Sequence, residues 1–272
     1  MKTIVITGAS DGIGAAASRR LVERGHRVVL VGRSAEKTAA LAAELRMPHH
    51  VADFADFTQV RRLADELLTA YPRIDVLANN AGGIFGPRRL TVDGNEQTLQ
   101  VNHLAPFLLT NLLRERLVES AASVVQTSSA AARLFSRFDL DDLQGERRYS
   151  GQRAYGNAKL ANILFTRELQ HRWGSDGVAA VAFHPGVVAT RFAADVPGPF
   201  RFLYHNPLAR RLLSTTDEGG ARLVFLADGS PGVDWLPGGY YERDLLTRSH
   251  RLATDEEVAA ELWRRSADLV GI

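Results

Sequence analysis

Short apolar runs alternate along the first half of the chain with longer stretches in which apolar positions recur every three or four residues. Unbroken apolar runs are typical of strands buried on both faces of a sheet, and the longer recurrence is typical of helices. Strands are therefore predicted at 3–8, 26–33, 49–53 and 74–82, and helices at 12–25, 34–46 and 56–72. Ser34 is expected to cap the second helix and Pro72 to end the third.

The second half of the chain continues this alternation. The predicted elements are a long helix across about 95–118, a strand at 123–129, a helix containing Tyr155 and Lys159, and a strand at 178–186. A final amphipathic helix is expected to have Thr254 or Asp255 as its cap. Residues 187–235 are less regular and are predicted to form a flap on the substrate side, whose aromatic residues could line a lipophilic pocket or belong to the core.

Strands that alternate with helices imply a parallel sheet, because parallel strands need crossovers and the crossover helices cover the sheet faces. Right-handed crossovers then give an α/β fold of the Rossmann type, with a doubly wound parallel sheet of about seven strands and helices on both faces. No Gly-, Ser- or Pro-rich linker divides the 272 residues, so 1–272 is predicted to be a single domain.

Composition and charge exclude several classes of protein. The chain has no cysteine, which excludes disulfides, thiol nucleophiles and thiolate metal sites. Its formal net charge is +2 without a dense basic run, so no nucleic-acid partner is expected. No apolar segment is long enough for a signal peptide or a membrane anchor, so a cytoplasmic protein is expected. The eight histidines form no ligand cluster, and no metal is expected.

A glycine-rich segment, TGASDGIG at 7–14, joins the first strand to the first helix. Gly8 permits a tight turn, and Gly12 and Gly14 let backbone amides and the helix N-terminus approach a pyrophosphate. Such a loop can also be a bare turn. Its position at the first strand–helix junction favours dinucleotide binding.

The end of the second strand bears on the choice of cofactor. Rossmann sites that prefer NAD have a carboxylate there for the ribose 2′-hydroxyl, whereas this chain has Arg33. A guanidinium suits a 2′-phosphate, so NADP(H) is favoured over NAD(H). Two observations weigh against this choice: Arg33 could be an ordinary surface residue, and Asp11 in the glycine loop would disfavour a nearby phosphate.

Polar and small residues also follow the third and fourth strands. Asp53 ends the third strand, where its carboxylate could accept from an adenine amino group or cap the next helix. Asn79, Ala81 and Gly82 lie at the end of the fourth strand, in the crevice where doubly wound sheets bind ligands.

Tyr155 and Lys159 are four residues apart on one predicted helix, so their side chains share a face. Tyrosine has an ordinary pKa of about 10, and a nearby cation lowers the pKa of the phenol by stabilising the phenolate. Ser128 and Ser129 end a strand at the ligand edge, where a hydroxyl could hold a substrate carbonyl. Asn102 is a poor helix former; it could hold a water that relays protons to the lysine, or could simply be exposed.

Together these segments resemble the short-chain dehydrogenase/reductase family over nearly the whole chain. TGASDGIG, NNAG, Asn102, the serine pair, Tyr155-x-x-x-Lys159 and HPGVVAT stand in the order and spacing of that family. Two segments, FDLDDLQGERRYSGQRAYGNAKLANILFTREL and the ending LWRRSADLVGI, resemble its retinol dehydrogenase-like branch. The separation of 26 positions between Ser129 and Tyr155 is also similar to that branch.

The resemblance implies a catalytic tetrad. In it Asn102 maintains a water relay, Ser129 orients the carbonyl, Tyr155 is the general acid/base, and Lys159 lowers the pKa of the tyrosine and holds the ribose. Ser129 is chosen over Ser128 because it matches the second serine of the family's pair. Pro185, Gly186 and Thr190 are expected beside the nicotinamide. The full set assigned to cofactor binding is Gly8, Ser10, Asp11, Gly12, Ile13, Gly14, Arg33, Asp53, Phe54, Asn80, Ala81, Gly82, Tyr155, Lys159, Pro185, Gly186, Val188 and Thr190.

The activity that the resemblance implies is NAD(P)-dependent interconversion of a carbonyl and an alcohol by hydride transfer, on a lipophilic or small molecule. Many members of the branch begin with a membrane anchor, whereas this chain begins at the first strand, so a membrane-dissolved retinoid is not expected as substrate. Two alternatives are a regulator that binds NADP(H) without turnover and a lyase or epimerase that uses the same tyrosine. The family often forms homodimers or homotetramers through the helices that carry Asn102 and Tyr155.

Overall fold

The apolar runs of the sequence form the central strands of one mixed sheet. The computed structural model describes residues 1–186 and 215–272. Within these ranges the strand order is β3-β2-β1-β4-β5-β6-β7-β8, and only β8 is antiparallel to its neighbour. The strands are β1 Thr3–Thr7, β2 Arg27–Gly32, β3 His49–Val51, β4 Val76–Asn79, β5 Ser123–Thr127, β6 Ala179–His184, β7 Tyr240–Glu242 and β8 Leu245–Leu246. This arrangement confirms the predicted α/β fold, with seven parallel strands and one short antiparallel strand among the described residues.

Helices connect the strands and cover both faces of the sheet. They are α1 Gly12–Glu23, α2 Ala35–Leu45, α3 Phe57–Ala70, α4 Gln97–Leu99, α5 Ala105–Leu112, α6 Arg114–Glu119, α7 Ala131–Leu134, α8 Gly151–Trp173, α9 Thr216–Asp228 and α10 Glu256–Val270. Ser34 caps α2 as predicted, and Asp255 rather than Thr254 caps α10. Tyr71, one residue before the predicted stop at Pro72, is the C-cap of α3.

The strand residues divide between two apolar layers, because successive side chains of a strand point to opposite faces. Val5 of β1 packs with α3 and α5 on one face, whereas Ile4 and Ile6 pack with α1 and α9 on the other. All three side chains are fully buried. Burial on both faces explains why the strands appear in the sequence as continuous apolar runs.

Two predictions about the second half were wrong in detail. The long helix across 95–118 is interrupted by a π-helical turn, Gln100–Leu104, that joins α4 to α5. The described part of the predicted flap is regular, because α9 begins at Thr216 and packs against α1. At that contact a Cβ on Gly220 would lie 2.8 Å from Ala16 Cβ, so the two helices approach closely. Residues 187–214 lie outside the described residues.

The C-terminal helix α10 packs against both α5 and α8. Trp263 of α10 contacts three aromatic rings, with centroid distances of 5.0 Å to Phe107, 5.5 Å to Phe165 and 5.8 Å to Trp173. A segment of the same chain therefore covers part of the two helices that were expected to meet a second copy. None of the helices in the described ranges is both long enough and apolar enough to span a bilayer.

Candidate active site

The candidate site lies at one edge of the sheet, where the carboxyl ends of the parallel strands meet. The loops after β1, β2, β4, β5 and β6 carry most of the predicted residues, and the strand order places β1 between β2 and β4. In doubly wound sheets this edge is where ligands bind, next to the position at which the strand order reverses.

The glycine loop after β1 makes close backbone contacts that a side chain would prevent. Gly8 has a φ of +66°, and a Cβ there would lie 2.8 Å from Ala81 Cα. A Cβ on Gly14 would lie 2.2 Å from the Gly8 carbonyl oxygen and 2.8 Å from Asn80 Nδ2. Gly12 has a φ of +55° and opens α1, whose N-cap is Asp11. The loop thus keeps a bare backbone surface at the N-terminus of a helix, as an anion site requires.

The loop after β4 is fastened to the glycine loop by Thr7 and Asn80. Thr7 Oγ1 accepts from the backbone N–H groups of Asn80 and Ala81, both at 3.0 Å, and Asn80 Nδ2 donates to the Thr7 carbonyl at 3.0 Å. Asn80 therefore links the loop after β4 to the glycine loop after β1. Asn79 differs from the expectation, because its side chain is buried and donates to Thr110 Oγ1 at 2.9 Å instead of lying in the crevice.

The loop after β2 and the first turn of α2 each carry a cation, Arg33 and Lys37. Arg33 is exposed and makes no hydrogen bond or ion pair with the described residues. Lys37, in the first turn of α2, donates from Nζ to Asp11 Oδ2 at 3.0 Å. The charge of Asp11, which weighed against a phosphate, is therefore balanced by a lysine that the sequence analysis did not single out. Ser10 lies close by, with Oγ 2.9 Å from a Cβ built on Gly32.

Asp53 and Phe54 follow β3. The helix cap belongs to Asp56, which excludes the alternative role considered for Asp53. Asp53 Oδ1 instead accepts from the N–H of Ala55 at 3.0 Å, and its side chain is half-buried. The Phe54 ring is buried in the core, so only the backbone of this residue could face an adenine.

Asn102 lies in the π-helical turn and is completely buried, which excludes the alternative that it is exposed. Its Nδ2 donates to the carbonyls of Gly83 at 2.9 Å and Thr98 at 2.8 Å, and its Oδ1 accepts from the Gly83 N–H at 3.1 Å. A π-helical turn has one extra residue and often occurs at functional sites. Both amide hydrogens are used, so a water held by this side chain would have to use the second lone pair of Oδ1.

Lys159 lies one turn after Tyr155 on α8, and its side chain extends toward Asn102. Its Nζ lies 5.5 Å from the centroid of the Tyr155 ring and donates to the Thr127 carbonyl at 3.0 Å. A Cβ on Gly82 would lie 3.1 Å from this Nζ and 2.5 Å from Asn102 Oδ1. The lysine is 2% exposed, and burial lowers the pKa of its ammonium from an ordinary 10.5 to about 7. Four predicted residues therefore converge, and the cation among them is one whose charge can change near neutrality.

The two serines after β5 have different environments. Ser128 is buried, and its hydroxyl donates to the Lys159 carbonyl at 2.7 Å. Ser129 is half-buried, and its Oγ accepts from the Ala131 N–H at 3.1 Å, which leaves the hydroxyl hydrogen available to a ligand. This difference favours the choice of Ser129.

The loop after β6 contains Pro185 and Gly186, with a φ of +97° at Gly186. Arg222 of α9 donates from Nη1 to the Pro185 carbonyl at 2.5 Å, a contact that the sequence analysis missed because α9 itself was not predicted. Val188 and Thr190, predicted beside the nicotinamide, lie outside the described residues.

A family model described as short chain dehydrogenase matches residues 2–198. The chain belongs to the short-chain dehydrogenase/reductase family. The predicted resemblance is thereby confirmed, and the match extends from β1 past β6.

Two curated relatives match nearly the whole chain. A Streptomyces protein (strain C5) named as a daunorubicin C-13 ketoreductase is 43% identical over 99% of this chain and 93% of its own length. Human retinol dehydrogenase 13 is 36% identical over all of this chain and 85% of its own length. Among solved structures, an alcohol dehydrogenase from Thermococcus sibiricus in complex with 5-hydroxy-NADP has a TM-score of 0.67 and 25% identity, covering 86% of this chain and 93% of that one.

As a member of the short-chain dehydrogenase/reductase family, the chain is an NAD(P)-dependent dehydrogenase/reductase. The residues present fit such a cofactor, because Gly8 and Gly12, both with positive φ, form the turn that leads into the N-terminus of α1, and an exposed guanidinium lies after β2. The NADP-type ligand of the archaeal neighbour agrees with the predicted preference for NADP(H). In the part of the chain that the structure describes, no group of histidines and acidic residues has the arrangement of a metal site.

Proposed function

We propose that this chain reduces the carbonyl group of a lipophilic aldehyde or ketone with NADPH, and oxidises the alcohol in the reverse direction, with Tyr155 as general acid/base. The observation that carries the proposal is the convergence of Tyr155, Lys159, Asn102 and Gly82 at the ligand edge of the sheet. NADPH, when bound, supplies the hydride.

The role of Tyr155 in reduction is to donate its phenolic proton to the carbonyl oxygen. The phenolate that remains is stabilised by the ammonium of Lys159, which lies 5.5 Å from the ring centroid. Lysine suits this position because its ammonium is compact and can also donate to ribose hydroxyls. Only the protonated lysine can do either, and anionic ligands near Nζ favour that form.

Ser129 and Asn102 support the proton transfer in different ways. The Ser129 hydroxyl has a hydrogen to donate to the substrate carbonyl, which would orient that group toward Tyr155. Asn102 fixes the backbone of Gly83 by hydrogen bonds in both directions, which holds the loop after β4 in place beside Lys159. Positioning and proton transfer together are the protein's share of catalysis.

Arg33 is the residue that we propose to select NADP(H) through the 2′-phosphate, with Lys37 as a second cation. Charged bidentate contacts to phosphate are strong and geometrically specific. For the substrate, the relatives support a carbonyl/alcohol pair, because one is named as a ketoreductase of daunorubicin and another as a retinol dehydrogenase.

The test follows loss of NADPH absorbance with a panel of aldehydes, ketones and quinones. We expect turnover of at least one lipophilic carbonyl, and a decrease in kcat/KM of about 10³-fold in Tyr155→Phe because the acid is lost. Tyr71→Phe is the matched control, since Tyr71 packs beneath β3 and should leave turnover unchanged. Tight NADPH binding without turnover of any substrate would favour the regulator instead, and full activity in Tyr155→Phe would contradict the assigned acid.

A further inference from the structure

A line of buried polar side chains extends from the C-terminal helix to Lys159. Ser266 of α10 contacts His103 Nε2 at 2.8 Å, and His103 Nδ1 contacts Asn162 Oδ1 at 3.4 Å. Asn162 Nδ2 then reaches the Thr127 carbonyl at 3.4 Å, the same oxygen that accepts from Lys159 Nζ at 3.0 Å. Ser266, His103 and Asn162 are each no more than 2% exposed. The line connects a segment far away in the sequence to the proposed catalytic lysine.

The direction of every hydrogen bond in this line follows from its fixed end. The Thr127 carbonyl can only accept, so the Asn162 amide nitrogen faces it and Asn162 Oδ1 faces His103. His103 must then carry its proton on Nδ1, and its Nε2 accepts from the Ser266 hydroxyl. All donors therefore point toward Thr127, an arrangement in which successive hydrogen bonds strengthen one another.

We propose that Ser266 and His103 are positioning residues for Lys159: they fix Asn162, and through it the Thr127 carbonyl that holds the ammonium. This inference rests on the proposed function, in which Lys159 assists Tyr155 and binds the ribose. The Thr127 carbonyl is the hydrogen-bond acceptor that the described residues offer to Lys159 Nζ, so the place of that oxygen sets the place of the cation.

Two features make the line suited to positioning. His103 follows Asn102 directly in the π-helical turn, so the same backbone segment contacts the loop at Gly83 and the line to Lys159. Burial also lowers the pKa of His103 to about 4, so its ring stays neutral and keeps one donor and one acceptor near neutral pH. A doubly protonated ring would have no acceptor nitrogen for the Ser266 hydroxyl.

The inference also gives a role to the C-terminal motif LWRRS. Leu262 packs among buried apolar residues beside α8, Trp263 contacts the aromatic rings of α5 and α8, and Ser266 reaches His103. These three residues dock α10, and only Ser266 continues into the polar line. Substitutions can therefore test the docking of α10 separately from the positioning of Lys159.

The kinetic test compares Ser266→Ala and His103→Gln with Trp263→Phe, which loosens α10 without removing a member of the line. We expect kcat to decrease about 10-fold in the first two variants, because a small displacement of a catalytic group is costly. KM for the carbonyl should change less than about twofold. The double variant should be no slower than His103→Gln, since both changes break one line.

Trp263→Phe should lower Tm and leave kcat within about twofold. Equal kcat in all three variants at equal loss of Tm would overturn the inference.

A spectroscopic readout needs no turnover. In protein labelled with ¹⁵N at histidine, we expect His103, identified by its loss in His103→Gln, to be neutral with its proton on Nδ1. Ser266→Ala should shift the Nε2 resonance and leave the tautomer unchanged. A proton on Nε2 would overturn the inference. Failure of the proposed function is distinguishable, because it appears as no turnover of any substrate or as activity retained in Tyr155→Phe. Failure of this inference leaves the unchanged protein active, Tyr155→Phe inactive and Ser266→Ala like Trp263→Phe.

Discussion

Two cations of the candidate site, Arg33 and Lys159, stand in opposite environments. Arg33 is exposed in a loop after β2 and makes no hydrogen bond with the described residues, whereas Lys159 is 2% exposed and donates to the Thr127 carbonyl. An exposed guanidinium stays charged at every relevant pH and costs little to keep available. A buried ammonium loses hydration, and its pKa falls to about 7. Under the proposed function, selection of a cofactor therefore uses a local, solvated charge, whereas proton transfer uses a charge whose pKa is adjusted by burial.

The strongest test of this contrast removes the buried charge. Lys159→Met keeps much of the side-chain volume but neither stabilises a phenolate nor donates to a ribose, so kcat should decrease about 10²- to 10³-fold. Lys2→Met is the matched control, because Lys2 Nζ donates to the carbonyls of Ala227, Asp228 and Gly229 at the end of α9. It should lower Tm without lowering kcat. Retained activity in Lys159→Met, measured by steady-state kinetics, would remove the distinction between the two cations.

The buried position of Lys159 also predicts how stability depends on pH. The unfolded chain keeps this amine protonated up to an ordinary pKa near 10.5, whereas the folded chain does so only up to about 7. Between these values the unfolded state binds more protons, so the free energy of unfolding should rise with pH, by up to about 1.4 kcal/mol per unit. Below about pH 7 the lysine is charged in both states and this contribution is lost.

Urea unfolding at several pH values, without added cofactor, measures this dependence. Lys159→Met should remove the rise, so the difference in unfolding free energy between the two proteins should grow from pH 10 toward pH 7 in favour of the variant. A difference that is the same at every pH would mean that the folded lysine keeps its ordinary pKa.

Removing the exposed charge should have a smaller and more selective effect. Arg33→Ala is expected to weaken NADPH binding about 10- to 100-fold, because a charged hydrogen-bonded contact to phosphate contributes about 1.5–3 kcal/mol. NADH binding should be unchanged, since NADH has no 2′-phosphate. Fluorescence titration with both cofactors measures the ratio, with Arg20→Ala on the neighbouring α1 as control. An unchanged ratio would assign Arg33 to the ordinary surface.

The smallest expected effect concerns the pair of Asp11 and Lys37. Asp11→Asn keeps an N-cap side chain for α1 and frees Lys37 Nζ from its 3.0 Å contact. We expect NADPH to bind about two- to threefold more tightly, as a surface ion pair is worth less than about 1 kcal/mol. Tighter binding of NADH by the same factor would show that the 2′-phosphate plays no part.

Features that depend on neighbouring residues could be predicted from the sequence, whereas features that depend on contacts between distant segments could not. The strands and the glycine loop depend on residues next to one another, so the apolar runs and Gly8 predicted them. The opposite holds for α9, the π-helical turn and the line from Ser266 to Lys159, which depend on packing between segments far apart. His103 gave no signal, because a single histidine in an apolar helix is indistinguishable from many others. Arg222 was missed because α9 was not predicted, and Lys37 because its partner Asp11 lies 26 positions away in the sequence.

Asn79 shows a second limit of sequence interpretation. It ends a strand at the ligand edge, and polar residues at such positions are good candidates for ligand contacts. The fold uses Asn79 for a buried bond to Thr110. A strand end has several directions available to a short polar side chain, and only the neighbouring elements decide among them.

Because Gln100–Leu104 forms a π-helical turn, the number of residues in this segment is as restricted as their identity. One extra residue in a helix advances every following side chain by about 100° around the axis. With it, Asn102 meets Gly83 while Phe107, a few residues later, meets Trp263. Deleting a single residue here would leave nearly every amino acid in place and yet turn one of these two contacts away from its partner. Divergence within this segment should therefore proceed by substitution and not by changes in length.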